Sequence, residues 1–286
     1  MTRTSPTVKR RRLAAELRAR REQARLTIEE VADTLEWSGA KISRIENARV
    51  SVLPRDVKFL LRVYGTAEGS GEWDALLTLA RESRQRGWWR EYGDAVPEGF
   101  DTYVGLEADA AMLHIYEPEN VPGLLQTEDY ARAVMRATML TATEDAIGRH
   151  VAVRMARQER LVGPDAPRLW AVVNEAVIRR SVGGSAVMCA QLAKLLDSGA
   201  QPGVTMQVMP FSAGAHAGMD GSFTILSFLE PGDPDVAYVP YYTGALYLEK
   251  SQQTTAYTLM FDHLRAAALA PGASRDLIAR ARDELT

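Results

Sequence analysis

A short predicted helix near residue 40 carries side chains that suit contact with nucleic acid. Its outward surface is small, polar and basic and contains no acidic residue: Gly39, Ala40, Lys41, Ser43 and Arg44. A guanidinium such as that of Arg44 can donate two parallel hydrogen bonds to the edge of a guanine, so it is our best candidate for base readout. A short helix with an apolar back and a basic front fits the major groove of double-stranded DNA. The pattern therefore predicts sequence-specific binding to duplex DNA.

Two amphipathic helices separated by a tight turn must position this surface. Thr27 lies at an N-cap position and Glu30 follows three residues later, which is the spacing of a capping box. The helix that follows has one apolar stripe at helical spacing: Ile28, Val31, Ala32 and Leu35. Ser38 is a second N-cap candidate, and the helix that it opens carries Ile42 and Ile45 on its inner side. The alternative is an ordinary helical hairpin with a solvated, charged surface.

The stretch around these caps resembles the helix-turn-helix of the phage repressor and Cro type, also called the xenobiotic-response-element family. Residues 27–35 match the first helix of the motif, and residues 38–47 match its recognition helix. The chain departs from the family in two places. Members usually have glycine in the turn, where this chain has Glu36, and a non-glycine residue with positive φ costs about 1 kcal/mol. The position after the first cap is often glutamine, and here it is Ile28.

The resemblance also implies a set of DNA contacts. The positions that face bases in the family correspond to Gly39, Ala40 and Arg44. The positions near phosphates correspond to Ser38, Lys41 and Asn47. Arg49 lies in the following loop, where a cation that contacts the DNA backbone is expected. The complete set of predicted DNA-binding residues is Thr27, Ser38, Gly39, Ala40, Lys41, Ser43, Arg44, Asn47 and Arg49. By analogy with repressor-type motifs, we expect a homodimer that binds two half-sites about one helical turn apart.

The net charge is divided unevenly along the chain. Residues 1–66 contain fifteen Lys and Arg and eight Asp and Glu, which is a net charge of +7 in a chain whose total is −3. The remaining residues therefore carry −10. Because neutralisation of phosphates drives non-specific affinity for DNA, the basic part is the one expected to face DNA. The acidic part is expected to meet another partner.

Length and composition indicate a globular protein with two domains. The chain has 286 residues, of which 46% are hydrophobic and 25% are charged, and it contains no apolar run as long as a membrane span. The basic N-terminus is not followed by an apolar segment. The single cysteine, Cys189, excludes an intramolecular disulfide and a zinc site with several cysteines. These features predict a cytoplasmic protein with no membrane contact.

Composition shifts divide the chain into four segments. Residues 1–12 are a predicted basic arm, either a solvated tail or a source of further phosphate or minor-groove contacts. Residues 13–86 are predicted to form a five-helix, repressor-type helix-turn-helix domain whose first helix covers about residues 11–24. Residues 87–100 are an aromatic connector that we expect to pack against one or both domains. Residues 101–286 are predicted to form an α+β domain with a mostly antiparallel sheet. The predicted fold class is therefore mainly α plus α+β.

In the second domain, changes of hydrophobic period locate the elements. Helices are predicted at about residues 102–114, 144–161 and 185–196, with Thr127 capping a further helix and a last helix after residue 274. The strand candidates are residues 169–174, 205–209, 222–228, 236–242 and 245–248.

Five motifs of the second half are similar to a large actinobacterial group of two-domain regulators: VPGLLQTEDYARA, RQERL, NEAVIRRSVGG, QLAKLL and FDHLRAAAL. In that group, which includes the WhiJ-like developmental regulators, a repressor-type helix-turn-helix precedes a C-terminal domain of unresolved biochemical function. Members are described as antitoxin-like and are typically paired with a small protein encoded next door. The resemblance thus implies a small partner protein; a small-molecule effector bound between sheet and helices is the alternative. One departure is Pro240, where the group usually has an acid.

The sequence offers no catalytic arrangement and no cofactor site. The four histidines, none of which has the spacing of metal ligands, are His114, His150, His216 and His263. The glycine-rich loop at residues 210–221 has the composition of a lid, yet no nucleophile, base and orienting group can be assembled beside it. We therefore expect a protein that is not an enzyme, with no catalytic residues, no bound metal and no cofactor.

Overall fold

The structure, a computed structural model, describes the chain in four stretches: residues 6–84, 87–96, 99–230 and 233–285. The chain forms two compact units, residues 1–90 and 91–286. The first unit is helical and the second combines a six-stranded sheet with helices, which confirms the predicted fold class. No helix in the described stretches is long and apolar enough to cross a membrane.

Five helices make up the described part of the first unit: α1 (Pro6–Gln23), α2 (Ile28–Leu35), α3 (Gly39–Glu46), α4 (Pro54–Val63) and α5 (Gly71–Glu82). Their apolar stripes meet in one core, whose most buried members include Leu17, Val31, Ile42, Val57, Leu60 and Leu61. Each such side chain contributes about 1.5–3 kcal/mol when it is fully removed from water. This shared core fixes how α2 and α3 pack against each other.

The first helix begins earlier than its sequence pattern predicts. α1 starts at Pro6, because the fixed φ of proline suits a first helical turn and the next two side chains, Thr7 and Val8, are buried. In place of an arm, residues 6–12 form the first turns of this helix. Residues 1–5 lie outside the described residues. The last helix of the unit, α5, ends at Glu82.

Three residues with a left-handed backbone mark the junctions around α2 and α3. Arg25 (φ 59°) precedes α2, Glu36 (φ 55°, ψ 37°) forms the turn between the two helices, and Ala48 (φ 54°) follows α3. Glycine, which has no Cβ atom, adopts this conformation freely, whereas in other residues the Cβ atom lies too close to the following carbonyl oxygen. The turn is closed by the Trp37 N–H, which donates to the Ala32 carbonyl at 2.9 Å. The packed core therefore outweighs an unfavourable local preference at each junction.

The second unit alternates helices and strands along the chain. Its helices are α6 (Phe100–Asp109), α7 (Glu128–Thr138), α8 (Glu144–Gln158), α9 (Glu175–Arg179), α10 (Ser185–Ser198), α11 (Ser251–Ala267) and α12 (Pro271–Asp283). Its strands are β1 (Met112–Glu117), β2 (Arg168–Asn174), β3 (Val204–Met209), β4 (Phe223–Ser227), β5 (Val236–Tyr241) and β6 (Gly244–Leu248). They form one sheet in the order β3-β2-β1-β4-β5-β6. β1, β2 and β3 are parallel, and the other three pairings are antiparallel.

One central strand lies where the sequence pattern predicts a helix. The predicted helix over residues 102–114 ends at Asp109, and β1 begins at Met112 with β2 on one side and β4 on the other. A strand with both faces covered lacks the polar and apolar alternation of a half-buried strand, and β1 (MLHIYE) contains Met, Leu and Glu, which favour a helix. The five strands that the sequence predicts are all present, each within one residue at either end.

Helices cover both faces of the sheet. On one face α11 contributes to a cluster of buried residues that comprises Tyr116, Val172, Met209, Phe223, Ile225, Phe261 and Leu264. On the other face Ile115, Thr224 and Tyr238 pair in one row across β1, β4 and β5. The ring of Tyr103 from α6 lies 4.3 Å from that of Tyr238, so α6 covers this second face.

Candidate functional site

Side-chain caps hold the N-termini of α2 and α3. The Thr27 hydroxyl accepts a hydrogen bond from the Glu30 N–H at 3.1 Å, and the Glu30 carboxylate accepts one from the Thr27 N–H at 2.8 Å, so the predicted capping box is confirmed. The backbone N–H and the hydroxyl of Thr27 hold the pKa of Glu30 below its ordinary value. The Ser38 hydroxyl accepts a hydrogen bond from the Lys41 N–H at 3.2 Å. The start of α3 is thereby fixed relative to the turn.

The residues predicted to contact DNA lie on α3, at its ends and at the cap of α2. Those that are exposed are Thr27, Ser38, Ala40, Arg44, Asn47 and Arg49, whereas Gly39, Lys41 and Ser43 are half-buried. The Arg44 Nε atom donates to the Ala40 carbonyl at 3.2 Å. Within the described stretches, the terminal nitrogens of Arg44 and the side chain of Arg49 have no hydrogen-bonding or ionic partner. These two guanidinium groups are therefore open to an approaching molecule.

Two of the other predicted contact residues are held by the first unit itself. The Lys41 ammonium lies 3.1 Å from the Asp56 carboxylate of α4 and 3.3 Å from the centre of the Trp37 ring. The Asn47 side-chain amide donates to the Ser43 carbonyl at 2.7 Å, one turn back along the chain. Lys41 thus fastens α3 to α4.

A buried ion pair fixes the C-terminal end of α3. The Glu46 carboxylate, whose side chain is 3% exposed, accepts hydrogen bonds from Arg21 Nε and Nη2, both at 2.9 Å. The Tyr64 hydroxyl donates to the same carboxylate at 3.0 Å, and Arg21 Nη1 donates to the Leu26 carbonyl at 2.8 Å. The hydrogen bond to Glu46 raises the pKa of Arg21, while burial above all raises the pKa of Tyr64. The network joins α1, α3 and the end of α4.

In the second unit, polar side chains hold the loop between β1 and α7. This loop contains a 3-10 turn, Gly123–Leu125. Its carbonyl groups accept hydrogen bonds, at 2.7–3.0 Å, from the side chains of Gln126, Gln158, Gln191 and Lys194. The donors belong to three of the motifs singled out above, VPGLLQ, RQERL and QLAKLL. Segments far apart in sequence therefore meet at this loop and support one another.

A second buried ion pair lies beside the loop. Arg157 Nε and Nη2 donate to the two carboxylate oxygens of Glu107, both at 2.7 Å. The guanidinium also lies 5.1 Å from the ring centre of Phe100 and 5.3 Å from that of Tyr103. Burial alone would lower the pKa of Arg157, but the charge of Glu107 outweighs it and raises the pKa. Arg157 is thus fully paired and remains positively charged.

Between the loop, α6, α8 and the sheet lies a cavity of about 520 Å³. Its apolar and aromatic walls include Phe100, Tyr103, Ile115, Leu124, Val134 and Tyr238. Pro240 and Tyr241, which also line it, are exposed, so the cavity opens at that end of β5. A second cavity of about 300 Å³ shares five lining residues with it, Phe100, Val134, Thr138, Arg154 and Arg157. Pockets of this size with a few polar groups are the usual form of small-molecule sites.

Two ionisable side chains in the cavity wall lack their usual partners. In the described residues, no hydrogen bond or ion pair reaches the half-buried Glu117 carboxyl group, and none reaches the buried Nε atom of Arg154. Arg154 Nη1 donates to Gln126 Oε1 at 2.6 Å. Burial raises the pKa of Glu117 to about 8, although the charge of Arg154 opposes the shift. Burial and the neighbouring Arg157 lower the pKa of Arg154 to about 10, which leaves it charged at neutral pH.

The histidines do not form a metal site in the part of the chain that the structure describes, where no group of three or more His, Cys, Asp or Glu side chains could hold an ion. His114 stacks on Phe261 with ring centres 4.6 Å apart, and burial lowers its pKa. His216 Nδ1 accepts a hydrogen bond from the Gly218 N–H at 3.2 Å. Both rings have a place in the packing or hydrogen bonding of the second unit.

Comparison with protein families matches both parts of the chain. Residues 12–70 match a helix-turn-helix domain, and residues 100–280, which are more than half of the chain, match the domain of unknown function DUF5753. The chain belongs to the DUF5753 family. The helix-turn-helix match contains α2 and α3 and points to a DNA-binding regulator. The DUF5753 domain contains the sheet, the loop between β1 and α7, and the cavity. No curated protein and no solved structure matches the chain.

The two matched domains agree with the broader part of the resemblance described above, a helix-turn-helix regulator with a C-terminal domain of unknown function. The narrower WhiJ-like, antitoxin-like assignment stays a prediction. Sequence reasoning missed Glu46, Glu117 and Arg154. The only sequence signal for these residues is a charged side chain at a position that faces inward. The residues that surround each of them lie on other helices or strands, so their roles are visible only in the fold.

Proposed function

We propose that the protein is a sequence-specific transcription regulator that reads the major groove of DNA with α3. The observation that carries the proposal is the open surface of α3, where the terminal nitrogens of Arg44 have no partner among the described residues. The caps at Thr27 and Ser38 fix the starts of α2 and α3, and residues 1–66 supply a net charge of +7. A basic, rigidly held helix is what phosphate attraction and base readout require.

The predicted contact residues take different roles in this proposal. Arg44 reads a guanine, and Gly39 and Ala40, which carry no side chain and a single methyl group, let the helix approach the base edges. The remaining contacts are made with phosphates, and they come from Thr27, Ser38, Lys41, Ser43, Asn47 and Arg49. Lys41 can reach a phosphate only by leaving Asp56, so we expect it to contribute less to DNA affinity than Arg49 does.

Replacement of one arginine tests the assignment. An operator is first selected from a random pool of duplex DNA, and affinities are then measured for that operator and for each single-base change. Arg44→Ala should remove discrimination at one base position, which corresponds to about 1–3 kcal/mol, or roughly 5- to 150-fold in affinity. Arg55→Ala, which changes an arginine of α4 that is 77% exposed, is the matched control. A folded Arg44→Ala protein that keeps full selectivity would refute the role of Arg44.

We further propose that the protein binds DNA as a homodimer, in line with the two-fold symmetric sites of repressor-type motifs. Two half-sites about one helical turn apart should emerge from the same selection. Sedimentation of the complex with the selected operator should give two chains per duplex, and a single chain on a single half-site is the contrary result.

The second unit has two candidate partners. The resemblance to antitoxin-like regulators predicts a small protein encoded nearby, and co-purification of one such protein in stoichiometric amount from native cell extract is its test. The cavity of about 520 Å³ is a specific observation in favour of the alternative, a one-component regulator that senses a small-molecule effector. An effector should raise the thermal unfolding midpoint of the purified protein with no other protein present.

A further inference from the structure

The polar groups in the wall of the 520 Å³ cavity restrict what it can hold. The charges of Glu107 and Arg157 cancel in their ion pair, at 2.7 Å. Arg154 adds one positive charge. With a pKa of about 8, roughly nine in ten of the Glu117 carboxyl groups carry a proton at pH 7. The wall therefore has a net charge of about +1 at neutral pH, which favours an anion over a cation.

Arg154 and Glu117 each have a donor group for which the described residues supply no acceptor. In the described residues the Arg154 Nε–H has no acceptor, and a buried donor without one is costly. A protonated Glu117 carboxyl group brings a second O–H donor to the same cavity. Two donors and one positive charge are what a carboxylate needs, since its oxygens only accept hydrogen bonds.

The rest of the wall suits an apolar body. Aromatic rings from Phe100, Tyr103 and Tyr238 and aliphatic side chains from Ile115 and Val134 line the cavity. The rings of Phe100 and Tyr103 already have the Arg157 guanidinium beside them, so they offer no free face for a second cation on that side. An amine would therefore find neither a free charge partner nor an open aromatic cage.

We propose that this cavity binds a small organic acid, with the carboxylate held by Arg154 and Glu117 and an apolar or aromatic body between the sheet and α6. A smaller cleft of about 250 Å³ between α10, β3 and α12 lacks this combination, since Arg275 is its single charged lining residue among those described. The proposal deepens the effector alternative. Its regulatory meaning rests on the proposed DNA-binding function, but the binding of the acid does not.

The full-length protein is tested with phenylbutyrate, decanoate and naphthoate, and with the matching amide and primary amine of each acid. Thermal unfolding and titration calorimetry are measured without DNA. At least one acid should raise the unfolding midpoint, and its amide and its amine should bind at least tenfold more weakly. If none of the three acids binds, or if acid, amide and amine bind equally, the proposal is overturned.

Variants of two residues locate the site. Arg154→Gln should weaken binding of the acid by about ten- to a hundredfold, because it removes a charge-assisted hydrogen bond. Arg149→Gln changes an exposed arginine on the same helix, α8, and should leave binding unchanged. Equal losses in the two variants, or none in a folded Arg154→Gln protein, would contradict the assignment.

The pH dependence provides a readout that a purely structural role of Glu117 would not produce. Affinity of the wild-type protein for the acid should fall about tenfold between pH 7 and pH 9, as Glu117 loses its proton and repels the carboxylate. The side chains that interact electrostatically with Glu117 are Tyr116 on its own strand, Tyr130 on α7, Arg154 on α8 and Tyr238 on β5. Glu107 and Arg157, which are paired with each other, line the same cavity. Glu117→Gln keeps a donor at the site, so its affinity should be independent of pH over this range. A wild-type affinity that does not change with pH would rule out the role of Glu117.

DNA binding is measured separately, without any acid, for wild-type and Arg154→Gln protein. Equal operator affinity shows that the first unit is unaffected, and unchanged hydrogen exchange of the sheet shows that the second unit, which contains Arg154, is folded. The outcomes distinguish the two proposals. If the wild-type protein binds the operator but no acid, only the proposed ligand site is refuted. If it binds an acid but no operator, only the proposed DNA-binding function is refuted.

Discussion

The buried carboxylate of Glu46 offers the sharpest test of how α3 is held. Glu46→Gln keeps the shape of the side chain but removes the charge that balances Arg21, whose side chain is 11% exposed. The carboxylate accepts hydrogen bonds from two nitrogens of Arg21 and from the Tyr64 hydroxyl. Removal of one partner from a buried ion pair costs about 3–5 kcal/mol, because the remaining charge is left uncompensated. We expect a loss of about 3 kcal/mol, the lower end of that range, since glutamine keeps part of the hydrogen bonding.

The control is an ion pair of the same unit that is open to solvent. Glu68 pairs with Arg62 at 3.1 Å, and both side chains are more than half exposed. Glu68→Gln should therefore change stability by less than about 1 kcal/mol. A chain with two units need not unfold in one step, so a single midpoint is not a suitable measure. Hydrogen exchange of peptides that cover α3 reports the free energy of opening of that segment alone.

Glu46→Gln should accelerate exchange in α3 by about 150-fold, which corresponds to about 3 kcal/mol, and should leave the sheet of the second unit unchanged. If Glu46→Gln and Glu68→Gln reduce the protection of α3 by the same amount, the buried pair does not hold the helix and our reasoning fails.

Three further outcomes follow from the geometry. Glu36→Gly should stabilise the first unit by about 1 kcal/mol or slightly less, because φ at this position is 55°, which favours glycine. Hydrogen exchange of peptides that cover α2 and α3 measures this change. A destabilised variant would show that contacts of the Glu36 side chain outweigh the backbone strain. The stability of the wild-type protein relative to Glu117→Gln should fall as pH rises from about 4.5 to about 8, by up to roughly 5 kcal/mol, and then level off. The sign follows because the folded state keeps the Glu117 proton through that window while the unfolded state loses it. Hydrogen exchange of peptides that cover β1, corrected for the intrinsic effect of pH on the exchange rate, measures this stability, and replacement of the exposed Glu119 by Gln is the control. Arg49→Ala should weaken binding to all DNA sequences alike and reduce the slope of log affinity against log salt by about 1, whereas a change at one base position only would make Arg49 a base reader.

The local signals of the sequence predict the capped helices well. Thr27 and Ser38 form the expected caps because capping depends on a side chain and a backbone group within three residues of each other. The strands β2 to β6 are likewise marked by short apolar runs and turn residues. Among the strands, only β1 departs from its predicted structure, since its Met, Leu and Glu residues favour a helix and both of its faces are covered.

The cavity and the buried ion pairs could not be predicted, because they depend on distance in space. Glu107 and Arg157 are separated by 50 residues, and Arg21 and Glu46 by 25. An inward-facing charge in a sequence has no visible partner until the elements are packed together. The motifs VPGLLQ, RQERL and QLAKLL were recognisable as a group, but their common role in holding one loop appears only in the fold.

The left-handed residues Arg25, Glu36 and Ala48 make the geometry of α2 and α3 depend on the rest of the first unit. Each junction is held against its own backbone preference, at a cost of roughly 1–2 kcal/mol apiece, because none of the three positions is glycine. A peptide containing only α2 and α3 would lack the core that compensates this cost, so it should not keep the angle between the two helices. The orientation of Arg44 is thus a cooperative property of all five helices. Substitutions in the contacts of α1 or α5 should therefore alter which sequences are bound even when every residue that we propose to contact DNA is unchanged.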